Sequence, residues 1–158
     1  MKHFVSCLLA SLIVSISMAQ GFKMEGSEVI PEGAKIEFKK GTSTLVKGSE
    51  ATLMSIKKYL DDKTYISLMR VEGHVDGEGD NNQSLSEARA VAICKWLIAQ
   101  GIDCKRLIPV GFADKKPVSN ESNVLNTRIC FVNAGLRGRM IGGMPADGGG
   151  KVAGDPCQ

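Results

Sequence analysis

The sequence predicts an α/β fold, an α+β sandwich in which two helices pack on one face of a small mixed sheet. Short apolar, β-branched runs at 34–38, 65–71, 107–112 and 128–132 read as strands, and two longer runs with helical spacing separate the first three. The resulting order is strand, helix, strand, helix, strand, loop, strand, which calls for crossover helices returning to one sheet.

In the first strand, Ala-Lys-Ile-Glu-Phe alternates so that Ile36 and Phe38 share a face. Gly41, Thr42 and Ser43 make a loop. Ser49 and Glu50 then open an amphipathic helix with Leu53, Ile56 and Leu60 on its apolar side, stopping near Asp61-Asp62. The run from Tyr65 to Val71 is rich enough in apolar residues for a buried strand, and Gly77 and Gly79 mark the turn after it. A second helix is expected from about Asn82 to Ala99. Leu85, Ala88, Ala92, Trp96 and Ala99 form its apolar stripe, Trp96 being read as core, and Gly101 is placed to end it. Leu107 to Phe112 and Arg128 to Val132 are the remaining strands, separated by a loop with Pro117, Asn120 and Asn123.

The chain has 158 residues, 43% hydrophobic and 23% charged, enough for one compact core. A net charge of +3 without clustering argues against nucleic-acid binding. Residues 1–19 read as a secretory signal peptide: Lys2 and His3 start it, Phe4 to Ile16 is mostly apolar, interrupted only by small Ser and Cys residues, and Ser17-Met18-Ala19 offers a cleavage site. The alternative, a membrane anchor, meets an apolar run short of the roughly 20 residues needed to cross a bilayer. Cys7 is too early in that run for lipid attachment. Residues 20–33 read as a polar lead-in, 34–135 as the folded domain, and 136–158, with Gly142, Gly143, Gly148, Gly149, Gly150 and Gly154, as a flexible tail.

Export leaves Cys94, Cys104, Cys130 and Cys157, an even set that favours disulfides in one of three connectivities. Linear placement favours Cys94 with Cys104, across the end of the second helix, and Cys130 with Cys157, which would pin the tail to the last strand. No C-x-x-C pair occurs and His74 is the only histidine outside the leader, so neither a metal nor a cofactor is expected.

The chemistry concentrates between Gly73 and Ala90. Asp76 follows a buried strand on a glycine-rich turn, and Asn82, Ser86 and Arg89 recur at helical spacing on one face of the next helix. A carboxylate, an amide and a guanidinium could converge there on a zwitterion, Asp76 accepting from an ammonium group and Arg89 holding a carboxylate by two parallel hydrogen bonds. Equally, Asp76 and Arg89 could pair with each other, with Asn82 a helix cap and Ser84 and Glu87 a capping box. His74 reads as a strand-end structural residue. Ser84 and Ser86 lack a nucleophile setting.

These residues fall in a larger pattern: Gly73-His74-Val75-Asp76, then Asn82-x-x-Leu85-Ser86-x-x-Arg89-Ala90, then Gly101-Ile102, Leu107-x-x-x-Gly111, Pro117 and Asn126-Thr127-Arg128-Ile129. Over residues 34–134 the chain resembles the OmpA-like C-terminal domains, shared with peptidoglycan-associated lipoproteins and flagellar stator proteins. The resemblance implies a non-catalytic domain that docks on the peptide stem of peptidoglycan. Asp76 and Arg89 would grip the free amino-acid end of diaminopimelate, Asn82 would match the helix-start asparagine, and Arg128 would add a contact. Three departures touch this set: Val75 stands where a threonine is usual, the loop from Asp76 to Asn82 is shortened, and Thr127 replaces an arginine. The expectation is a secreted cell-envelope protein, periplasmic or outer-membrane associated, that binds the wall reversibly and is not an enzyme. The alternative is a structural subunit of an outer-membrane or envelope assembly that uses the same fold for protein contacts.

Overall fold

The structure, a computed structural model, describes residues 21–76, 81–120, 125–142 and 148–158. The expected signal peptide and the Gly77–Gly79 turn lie outside these. In chain order the elements are β1 (Phe22–Glu25), β2 (Glu28–Pro31), α1 (Ser49–Asp62), β3 (Ile66–His74), α2 (Asn82–Ala99), a short 3-10 turn (Cys104–Arg106), β4 (Leu107–Ala113), β5 (Arg128–Leu136), β6 (Arg139–Met140) and β7 (Lys151–Val152). The sheet runs β1-β2-β5-β3-β4-β7, with β6 paired to β5. Among the described residues only β3 and β4 pair in parallel, through α2, so the sheet is mixed as expected.

α1 spans the residues its apolar spacing marks, burying Leu53, Ile56 and Leu60. α2 ends where Gly101 takes φ +98°, with Ile102 N–H donating to Leu97 O at 3.1 Å. Its buried side, however, is Ser86, Arg89, Ala90, Ile93, Cys94 and Leu97. Of the expected stripe, Ala88 and Ala99 are exposed, and Leu85, Ala92 and Trp96 are half-buried. α2 carries small and apolar residues around much of its circumference, so period alone does not single out the packed face. What decides it is a glycine floor. Gly73 of β3 and Gly111 of β4 are register partners, and a Cβ on Gly73 would stand 2.1 Å from Ser86 O. One on Gly111 would stand 2.5 Å from Glu87 Cγ. Two glycines side by side let the helix start rest on bare backbone.

Four expectations are corrected. The lead-in is a β-hairpin, β1–β2, whose second strand joins β5 through Glu28↔Val132 and Val29↔Phe131. The Ala34–Phe38 segment makes only an isolated bridge, Phe38↔Leu45. Its backbone is satisfied by α1 instead: Glu37 N–H donates to Ser49 Oγ at 3.0 Å and Thr52 Oγ1 donates to Ala34 O at 2.6 Å. β2, not this segment, lies beside β5.

The cysteines are also paired differently. Cys104 bonds Cys157, with Cα atoms 5.2 Å apart, while Cys94 and Cys130 are free and buried. Cys94 is part of the core on the buried side of α2, and Cys130 sits within β5. Finally, the tail is not wholly loose. Val152 and Lys151 pair with Val110 and Gly111 on the outer edge of β4, and the disulfide fastens the chain end beside it.

Candidate binding site

β3 ends at the sheet margin with a register shift between Gly73 and His74, a bulge that re-aims the chain after it. Beyond it Val75 N–H donates to Ala113 O at 2.9 Å, and Asp76 N–H donates to Thr127 Oγ1 at 3.0 Å. Asn126, 5% exposed, holds the same corner: its Oδ1 accepts from Val118 N and Ser119 N, and its Nδ2 lies 3.4 Å from Asp76 Oδ2. The Asp76 carboxylate is therefore placed by the strand that precedes it and by the start of β5, elements fifty residues apart.

Arg89 reaches this corner from α2. The first two turns of α2 are sewn to β4: Gln83 Nε2 donates to Gly111 O at 3.0 Å, and Ser86 Oγ accepts from Ala113 N at 3.1 Å. That docking turns Arg89 inward, where it is 6% exposed. Its Nε donates to Thr42 O at 3.0 Å and its guanidinium lies over the Phe38 ring, 4.9 Å from the centroid. Burial lowers its proton affinity from the ordinary value, but an arginine stays charged. With Nε and one π-face committed, the Nη edge is the part of the group suited to a carboxylate.

Arg89 lines a pocket of about 300 Å³ with Lys35, Glu37, Phe38, Thr127 and Arg128. Arg128 is braced by donation to Asn126 O at 3.2 Å and Lys116 O at 3.1 Å. Of the sequence-predicted set, Arg89 and Arg128 thus meet in one pocket, and Asp76 is joined to its rim through Thr127. Asn82 is the first residue of α2, half-buried, and is not part of the pocket wall; the cap position belongs to Asn81.

Sequence reasoning missed Lys35, Glu37 and Phe38, which come from the segment read as an ordinary strand. Thr127 stands where the family pattern carries an arginine, and its hydroxyl ties Asp76 to the site. The Asn126 signal was present in the motif, but nothing local shows that one amide would hold both the 118–119 loop and Asp76.

Behind the site, Arg70, Glu72 and His74 share one face of β3, all buried. Arg70 Nε donates to Glu72 Oε1 at 2.6 Å, and His74 Nε2 lies 3.3 Å from Glu72 Oε2. Burial alone would raise the Glu72 carboxyl, but His74, Arg70 and Lys116 outweigh it and hold Glu72 below its ordinary value. His74 stacks on Phe112, ring centroids 5.1 Å apart, in the structural role expected of it.

The chain is thus a two-layer α/β domain in which a buried helix arginine lines a pocket tied through Thr127 to an acidic strand-end turn. Residues 37–128 match the OmpA family, and the chain belongs to that family. Solved structures agree on the fold. The OmpA-like domain of FopA1 from Francisella tularensis aligns with a TM-score of 0.58 at 23% identity, covering 78% of this chain and 83% of that one. The peptidoglycan-associated lipoprotein from Burkholderia pseudomallei aligns at 0.54 and 20%, covering 63% and 89%. The cell wall anchor of the T6SS from Pseudomonas aeruginosa aligns at 0.52 and 22%, covering 60% and 71%. No helix among the described residues is long and apolar enough to cross a membrane.

Proposed function

We propose that this protein binds peptidoglycan non-covalently, as an exported envelope protein with no catalytic role, by gripping the free amino-acid end of a diaminopimelate-type stem peptide. The supporting observation is the Arg89 guanidinium, buried against Phe38 and Thr42 O and lining a pocket whose rim is tied to Asp76 through Thr127. Arg89 takes the carboxylate and Asp76 the ammonium. Glu37, on the pocket wall, is a second acceptor, and Arg128 adds positive charge. The names of the relatives, a peptidoglycan-associated lipoprotein and a cell wall anchor, favour the same class of ligand.

The test is co-sedimentation with isolated sacculi, with Asp76→Ala beside the wild type. Pelleting that is lost in the variant supports the reading. Failure of both proteins to pellet overturns it in favour of an envelope-assembly subunit. Released muropeptides would point to an enzyme.

A further inference from the structure

We propose that the N-terminal hairpin builds a second ligand compartment beside the Arg89 pocket, one that takes a peptide residue with a small uncharged side chain running on from the gripped zwitterion. This rests on the wall-binding reading. β2 keeps register with β5 only at Glu28↔Val132 and Val29↔Phe131 and then parts from it. The chain turns at Gly33, and α1 holds Ala34 aside through Thr52 Oγ1. The gap left against the start of β5 is a pocket of about 140 Å³, walled by Pro31, Gly33, Ala34, Ile129 and Phe131.

Lys35, Ile36 and Arg128 line both this gap and the 300 Å³ pocket, so the two adjoin, and a ligand crossing from one to the other would run along a groove. Its seam is cationic and its far end is narrow and mostly apolar. A ligand that fits presents an anionic group at the seam, with backbone and a small side chain beyond it. An alanyl residue suits the space; a bulky or cationic one does not. The far wall, residues 31–36, precedes the family match, which begins at residue 37. The compartment sets which peptide extension is preferred.

Calorimetry on the full chain separates the two ideas. The probes are free diaminopimelate, diaminopimelate extended by one alanine through the carboxyl of one amino-acid end with the other end left free, and the same extension with tryptophan. Burying one methyl group contributes about 0.8 kcal/mol, so the alanine extension should tighten binding roughly three- to tenfold, and the tryptophan extension should not. Ala34→Trp, at an exposed position, should abolish the alanine gain and leave free diaminopimelate unchanged, with circular dichroism confirming the fold; Ala34→Leu should lose part of it. Equal affinity of the wild type for free and alanine-extended ligand overturns the compartment while leaving the Arg89 site standing. Loss of free diaminopimelate binding in Ala34→Trp also overturns it. No binding of any probe by the wild type overturns both.

Discussion

At the residue scale the site depends on how Arg89 is held. Charged hydrogen bonds contribute about 1.5–3 kcal/mol each, so losing its bidentate grip should weaken muropeptide binding roughly ten- to a hundredfold. Arg89→Lys keeps the charge but loses the planar fork, and should bind nearly as poorly as Arg89→Ala in a direct titration. The sequence places Arg89 off the core-forming stripe, which implies a fold indifferent to its loss. The structure puts it on the buried face over Phe38, so Arg89→Ala should also lower the melting temperature. Lysine is thus the cleaner probe of binding.

Glu72 makes a second residue-scale prediction. Its folded value lies below the ordinary 4.5, so its contribution is present above that pH and is lost as pH falls through the folded value. Glu72→Gln removes one charged partner of buried Arg70, which should cost up to about 3 kcal/mol at neutral pH. Below about pH 4.5 the difference from wild type should narrow as the wild-type carboxyl protonates. Melting curves across pH 3–7 for the two proteins (roughly the range that brackets carboxylate titration) give the comparison. A constant difference would remove Glu72 as the titrating group.

At the element scale, α2 is positioned by what β3 and β4 leave out. Gly73→Ala would force a methyl group onto the Ser86 backbone carbonyl, which cannot swing aside as a flexible side chain could. The expected cost is at the upper end of about 1–3 kcal/mol in denaturant unfolding, with muropeptide binding weakened even in the folded fraction because the same helix carries Arg89. A neutral Gly73→Ala would mean the helix can ride up without moving the site. The GHVD motif therefore contributes through its glycine as much as through Asp76. The sequence shows Gly73 as part of a pattern, whereas its close contact with Ser86 exists only after the crossover is made.

For the whole molecule, the terminal segments close both sides of the sheet. The hairpin extends it beyond β5, and β7 covers β4. Both residues of β7 are exposed, so burial contributes little to holding it, and the Cys104–Cys157 bond across 53 residues is the main tether. Cys104→Ser should cost up to about 4 kcal/mol of stability in the chain-entropy picture, and hydrogen exchange at 151–153 should quicken while β3 stays protected. Cys94 and Cys130 should behave oppositely. Burial pushes each thiol up to about 12, so native protein should resist alkylation at both, and unfolded protein should react.

The sequence alone determined the order of helices and central strands, the bounds of α1, the glycine stop of α2 and the motif that carries Asp76 and Arg89. Each of these is written in local period, local caps or a contiguous run of residues. Tertiary structure decided the rest: that the polar residues before Gly33 form an edge hairpin, that Arg89 faces inward, that Thr127 and Asn126 hold Asp76, and that Cys104 finds Cys157. The physical reason is shared. An edge strand's partner, a helix's packed face and a disulfide's mate are all set by which surfaces remain open once the central strands have paired, and linear spacing carries no record of that competition.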